Sequence, residues 1–295
     1  MPYEPVIDAD LELGDGRNLA YCIWGDPDGR PIFLFHGSPG SRVFAPNPFT
    51  TAEFGVRLIT ADRPGYGRSD PQPGRGILSW TADVEALAGS LGIQEFSVMG
   101  HSSGGPYALA CADAMPDRVK YVALVSSVAP HGEPLQDPIS DTQDRALTRL
   151  AWDDPAEAIR VIAESAAWLV ETPERFLDLP RPEPDVRLLR DPAIRGLYVN
   201  AVREAVKQGI EAYALDGVLE RRPWGFALVE LATDVWIFQG EQDATVPPSE
   251  AERLSAALPG SHLRRFQNTG HGLIVAHWAA ILSELTRPPL NGSGV

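Results

Sequence analysis

The pentapeptide Gly100-His101-Ser102-Ser103-Gly104 constrains the fold of this chain more than any other stretch. It lies between two apolar runs. Glu95-Phe96-Ser97-Val98-Met99 reads as a strand, and Pro106-Tyr107-Ala108-Leu109-Ala110-Cys111-Ala112 reads as a helix. A G-x-S-x-G sequence in that setting describes a sharp strand-to-helix turn. The turn holds the serine in a strained backbone conformation with its Oγ clear of the sheet. Both glycines are needed because a Cβ at either place would collide with neighbouring backbone.

The remaining sequence supplies the sheet that such a turn presupposes. Residues 7–13 and 19–24 read as a hairpin turning at Gly14-Asp15-Gly16. Residues 32–35, 56–60, 95–99 and 119–125 are strand-like and alternate with helical stretches, the signature of a parallel sheet. From about residue 129 to 223 strand character stops. Candidate helices there span 141–152, 155–171, 192–208 and 211–220. In 155–171 the apolar residues Ile159, Ile162, Ala163, Ala166 and Leu169 follow helical spacing. Strand character resumes at Val235. The expected architecture is α/β: a mostly parallel, largely eight-stranded sheet flanked by helices. Residues 1–128 and 224–295 form its core, and 129–223 an all-helical insertion.

A serine nucleophile needs a base, and the base needs an orienting acid. Val235-Trp236-Ile237-Phe238 reads as a strand running into Gln239-Gly240-Glu241-Gln242-Asp243. Leu263-Arg264-Arg265-Phe266 reads as the next, running into Asn268-Thr269-Gly270-His271-Gly272. Parallel strands bring such loops together at their carboxyl ends. The candidate catalytic residues are Ser102, Asp243 and His271, with Glu241 the rival acid. His36 reads as a buried support, and His101, adjacent to the serine, is expected to point the opposite way. His262 sits at the wrong end of the last strand. His277 falls on the last helix, and His131 opens the insertion.

The order Ser102, Asp243, His271 and the elbow resemble the α/β-hydrolase superfamily, over residues from about 11 to 285. Phe35-His36-Gly37-Ser38-Pro39-Gly40 is similar to the family's H-G-x-P loop. That resemblance implies an oxyanion hole made by the backbone N–H groups of Ser38 and Ser103. Asp62-Arg63-Pro64-Gly65-Tyr66-Gly67-Arg68-Ser69 is similar to the family's D-x-x-G-x-G-x-S loop and reads as a structural turn. The family pattern G-x-x-D favours Asp243 over Glu241. Some members place the acid one strand earlier, but Val125-Ser126-Ser127-Val128 offers no carboxylate there. The insertion resembles the family's cap, which roofs the site and sets substrate choice. Trp152, Trp168, Phe176, Tyr198, Tyr213 and Trp224 are its candidate pocket aromatics.

The resemblance implies a serine hydrolase acting on a small, largely apolar carboxylic ester. A serine nucleophile argues against the epoxide hydrolases and haloalkane dehalogenases, which use aspartate at that position. A prolyl-aminopeptidase-like enzyme is the nearest rival, since His36-Gly37-Ser38-Pro39-Gly40 is similar to that group's HGGPG with one glycine replaced. Glu164, Glu171 and Glu204 are then candidates for gripping the substrate amine. A carbon–carbon bond hydrolase and an idle ligand-binding protein on the same scaffold are weaker rivals.

Composition narrows the partners. Hydrophobic residues make up 44% of 295, enough for a full core, and 25 basic against 40 acidic residues leave a net charge of −15. With no basic patch, neither nucleic acid nor an anionic membrane surface is an expected partner. No apolar run approaches the roughly 18 residues of a membrane span. Met1-Pro2-Tyr3-Glu4-Pro5 lacks the basic and apolar regions of a signal peptide, so the cytosol is the expected compartment. Cys22 and Cys111 read as small buried hydrophobes rather than a disulfide. No cluster has metal-ligand spacing, and no cofactor is expected. The Pro- and Gly-containing tail, 287–295, is expected to be disordered.

Overall fold

A computed structural model describes residues 3–130 and 142–287. His131, residue 141 and most of the tail lie outside the described residues.

The strands are β1 (Ile7–Glu12), β2 (Asn18–Gly25), β3 (Arg30–Phe35), β4 (Val56–Ala61), β5 (Phe96–His101), β6 (Val119–Val125), β7 (Asp234–Gly240) and β8 (His262–Phe266). They form one sheet in the order β1-β2-β4-β3-β5-β6-β7-β8. β2 pairs antiparallel with β1 and β4, and every other pairing is parallel. The helices are α1 (Pro48–Glu53), α2 (Trp80–Ser90), α3 (Gly105–Ala114), α4 (Thr142–Asp153), α5 (Pro155–Ala166), α6 (Trp168–Glu171), α7 (Glu183–Leu188), α8 (Pro192–Ala205), α9 (Glu211–Glu220), α10 (Pro248–Ala257), α11 (Leu273–Ala276) and α12 (Trp278–Leu285).

Successive strand residues face opposite sides of the sheet, so each central strand feeds two apolar layers. Phe33, Phe35, Val98, Val122 and Leu124 pack on one face with Trp80 and Leu87 of α2, Leu109 of α3 and Leu254 of α10. Ile32, Leu34, Met99, Ala123 and Val125 pack on the other with Trp278, Ile281 and Leu282 of α12. This two-sided burial explains the continuous apolar runs of the parallel strands. Cys22 and Cys111 are buried and unpaired.

Helices α4 to α9 all fall between β6 and β7. Two details depart from the sequence expectation. Residues 155–171 form two helices, because the bonds Ala167 N–H to Glu164 C=O and Val170 N–H to Ala167 C=O tighten to i→i+3. A 3₁₀ turn at Pro173–Asp178 and helix α7 occupy a stretch for which no helix is expected. Pro173, Pro180, Pro182 and Pro184 punctuate that stretch and hide its helical spacing.

Candidate active site

β5 ends at His101, and Ser102 turns the chain with φ of 55°. Ser102–Gly104 form one 3₁₀ turn, and α3 follows at once. A β-carbon on Gly100 would lie 2.5 Å from the Gly104 carbonyl oxygen, and one on Gly104 would lie 2.2 Å from that of Phe35. Backbone on both sides thus enforces the glycines, and the serine carries the left-handed strain between them.

Asp243 sits in the loop after β7 and His271 in the loop after β8. The Nδ1–H of His271 donates to Asp243 Oδ2 at 2.9 Å. An ionised carboxylate only accepts, so this contact puts a proton on Nδ1, and in the neutral ring Nε2 is then the acceptor. Asp243 Oδ1 accepts from the amides of Thr245 and Val246, each at 2.9 Å. Burial by itself would raise the Asp243 carboxyl. The facing His271 and those two amides outweigh it and hold the carboxyl below its ordinary value. The rival acid, Glu241, is exposed.

Ser102, His271 and Ser38 open on one cavity of about 210 Å³. Its walls are mainly apolar and include Phe44, Phe176, Leu177, Leu188 and Tyr198. His101 also faces it, against the expectation that it points away. β5 continues through His101, and the chain turns at Ser102 itself, so strand alternation does not separate the two side chains. The His101 ring stacks at 5.9 Å on Phe44 and lies 5.1 Å from that of His271. Burial, and then the nearby His271, push its pKa down to about 3. A second cavity of about 610 Å³ meets the first at Ser38, Ser102 and Thr245 and reaches Ser103, Tyr213, Glu220 and Glu250. Burial pushes the Glu220 carboxyl up to about 7. Of the six candidate aromatics, Phe176 and Tyr198 thus line the first cavity and Tyr213 the second.

The Ser38 loop is held from behind. A β-carbon on Gly37 would lie 3.1 Å from Ser102 Cβ, so the loop runs directly against the nucleophile candidate. His36 is buried and bonded on both ring nitrogens: Nδ1 meets the Gly37 carbonyl at 2.8 Å, and Nε2 accepts the Arg63 amide at 3.3 Å. The Ser38 hydroxyl meets Asp216 Oδ2 at 3.1 Å and the Tyr66 hydroxyl at 2.9 Å. Asp216 comes from α9. It is fully buried and receives Arg63, Arg75, Tyr66 and Tyr107. The D-x-x-G-x-G-x-S loop has the expected turn role: Asp62 accepts from the amides of Arg42 and Arg68, and a β-carbon on Gly67 would lie 2.0 Å from it. Its Arg63 and Tyr66 also brace the Ser38 loop, a role that the turn pattern alone does not reveal.

Other sequence candidates lie elsewhere. His262 stacks on Trp236 at 4.5 Å, and His277 Nε2 meets the Thr269 hydroxyl at 3.0 Å. Glu164 pairs with Arg160 at 2.5 Å on an exposed face, Glu171 is exposed, and Glu204 pairs with Arg42 at 2.6 Å. Among the described residues, no group of three His, Cys, Asp or Glu could hold a metal ion, and no helix is long and apolar enough to cross a membrane.

Residues 30–277 match the model of a family described by the alpha/beta hydrolase fold. The chain is 30% identical to a non-heme chloroperoxidase of Streptomyces lividans over 276 residues, 90% of this chain and 94% of that one. It is 34% identical to a proline iminopeptidase of Arabidopsis thaliana over 127 residues, 42% of this chain and 33% of that one. A solved structure of a thermophilic esterase from Thermogutta terrifontis superposes with a TM-score of 0.67 and 23% identity, covering 95% of this chain and 96% of that one.

Proposed function

The chain belongs to the α/β-hydrolase fold family, and on that premise we propose that it is a serine hydrolase cleaving a small, largely apolar carboxylic ester. The observation that carries the proposal is the Asp243–His271 pair opening on the same cavity as Ser102. His271 Nε2 takes the proton of Ser102 as Oγ attacks the ester carbonyl. The backbone N–H groups of Ser38 and Ser103 hold the tetrahedral oxyanion. His271 returns the proton to the departing alcohol, and water activated by the same ring then cleaves the acyl-enzyme. Asp243 keeps the imidazole oriented and offsets its transient charge. The helical insertion acts as a cap: through Phe176, Leu177 and Tyr198 it supplies much of the apolar wall that selects the substrate. Two buried, unpaired cysteines suit a reducing compartment such as the cytosol.

One observation favours a second reading. Glu220 lines the cavity that meets the first at Ser102 and would offer a carboxylate to the free amine of a prolyl-aminopeptidase substrate. Against it, burial raises the Glu220 carboxyl to about 7, which disfavours its charged form, and the glutamates singled out in the sequence are solvated or paired. The specificity constants of a short aryl ester and a proline arylamide separate the two. We expect the arylamide to be at least about a hundredfold slower, the scale of an unmet polar recognition requirement. Faster arylamide cleavage overturns the esterase reading. Ser102→Ala should abolish either activity by a factor of about 10⁴ or more while leaving the fold intact, and retention of a tenth of wild-type turnover overturns the nucleophile assignment.

A further inference from the structure

Asp185 stands in the first turn of α7, in the insertion, 86 residues before His271, and its carboxylate reaches across to the His271 loop. Oδ2 accepts the backbone N–H of His271 at 3.0 Å, and Oδ1 accepts that of Gly272 at 2.8 Å. One buried carboxylate thus grips two consecutive amides, the first belonging to the candidate base itself.

The loop is shaped for this grip. A β-carbon on Gly270 would lie 2.2 Å from Asp185 Oδ2. One on Gly272 would lie 3.2 Å from Asp185 Oδ1 and 2.3 Å from Leu188, one turn further along α7. The glycines on either side of His271 therefore admit α7 to the loop backbone. They also leave the loop with little side-chain packing of its own, so an external restraint has more to fix. Asp185 borders the apolar cavity, yet each of its oxygens already accepts an amide. Asp216 makes a comparable reach from α9 to the Ser38 hydroxyl. The insertion thus touches two loops that share the serine's cavity, the Ser38 loop and the His271 loop, each through a buried carboxylate.

We infer that Asp185 is a positioning residue: through the amides of His271 and Gly272 it fixes the imidazole against Ser102, so that docking of the insertion and competence of the base are one event. The inference rests on His271 being the general base of the proposed function. A loop that drifts by an ångström misaligns proton transfer without changing what the substrate touches, so the loss belongs in kcat rather than KM.

The test uses the full chain, a short aryl acetate for turnover, and a fluorophosphonate probe for the labelling rate of Ser102. All variants are assayed well below their melting temperatures. Asp185→Ala should lower kcat by about 30- to 100-fold, the scale of a misplaced catalytic group, with KM within about threefold of wild type. Asp185→Asn keeps one acceptor oxygen and should lose clearly less. In a His271→Ala background, Asp185→Ala should slow labelling no further, because the group it positions is gone. Gly270→Ala displaces the carboxylate and should lower kcat in wild type, but cost nothing more once Asp185 is alanine.

Several results overturn the inference. A kcat for Asp185→Ala within about threefold of wild type means that the loop needs no clamp. A raised KM with unchanged kcat makes Asp185 a substrate contact. Losses that multiply in the His271→Ala background mean that it acts elsewhere. If Asp185→Ala does not fold, Asp185→Asn and Gly270→Ala carry the same comparison. Wild-type turnover by His271→Ala alone is a separate failure: it removes the base assignment.

Discussion

Ser102 is one of three non-glycine residues at positive φ among those described, with Ser126 and Asn268. A left-handed serine persists only where its surroundings over-determine it, and the Gly100 and Gly104 contacts do so here. Asp243 is over-determined in another way, with two amides on one oxygen and an imidazole on the other. Asp243→Asn keeps the shape but presents an amide group where the His271 Nδ1–H needs an acceptor, so turnover should fall by a factor on the order of 10⁴. Glu241→Gln, at an exposed position, should leave turnover near wild type. Steady-state assays of both variants check this, and the reverse ranking moves the acid to Glu241. His101 supplies a pH prediction. Burial lowers its pKa from 6.5 to about 3, so the folded ring stays neutral while the unfolded chain takes a proton below pH 6.5. Its contribution to stability is complete above that value and is lost as pH falls, at about 1.4 kcal/mol per pH unit. Denaturation of His101→Phe against wild type reads this group, because titrations remote from it are common to both proteins and cancel in the difference. The variant should gain on wild type by that slope between about pH 6 and about pH 4. A difference that does not change with pH refutes it.

The elbow is the element whose local sequence and tertiary setting agree most closely. Its glycines read as places without room for a β-carbon, and the colliding groups are the Gly104 and Phe35 carbonyls. Gly104→Ala must push against the end of β3, which is buried backbone and cannot yield. It should cost about 3 kcal/mol, at the upper end of overpacking, and remove activity with it. Gly89, near the end of α2, has open space where a β-carbon would stand, with nothing within 4 Å. Gly89→Ala should instead stabilise by about 0.5–1 kcal/mol through helix propensity. Urea titration of the pair reports both signs, and equal effects count against the steric account.

For the whole molecule, the notable feature is how the insertion meets the core. Asp216 and the guanidiniums of Arg63 and Arg75 are all buried, and the interface also buries Tyr66 and Tyr107. The two guanidiniums hold the Asp216 carboxyl well below its ordinary range despite the opposing effect of burial. Removing one partner of such a group leaves charge uncompensated in a low-dielectric interior. Asp216→Ala should therefore cost about 3–5 kcal/mol, measured by urea denaturation, and should loosen the Ser38 loop. A cost below about 1 kcal/mol would mean that water or a rearranged side chain replaces the carboxylate.

The strand order along the chain, the elbow, and the loops holding Asp243 and His271 were legible in the sequence because each is a local pattern. Apolar runs of strand length, glycines at a turn, and polar loops just past strand ends all declare themselves within about ten residues. The helical run from Pro155 was legible for the same reason, since Ile159, Ile162, Ala163 and Ala166 of α5 recur at helical spacing. What only the tertiary structure decided is which distant groups meet. Asp185 lies in a proline-rich stretch with no legible helix, and Asp216 is one acidic residue within the candidate helix 211–220. Arg63 and Tyr66 look like turn residues, and α7 is hidden among prolines. Their roles come from burial against partners 86 and 153 residues away, for Asp185 with His271 and Arg63 with Asp216. No local periodicity encodes such a contact, because the energy of a buried carboxylate depends on what surrounds it in space.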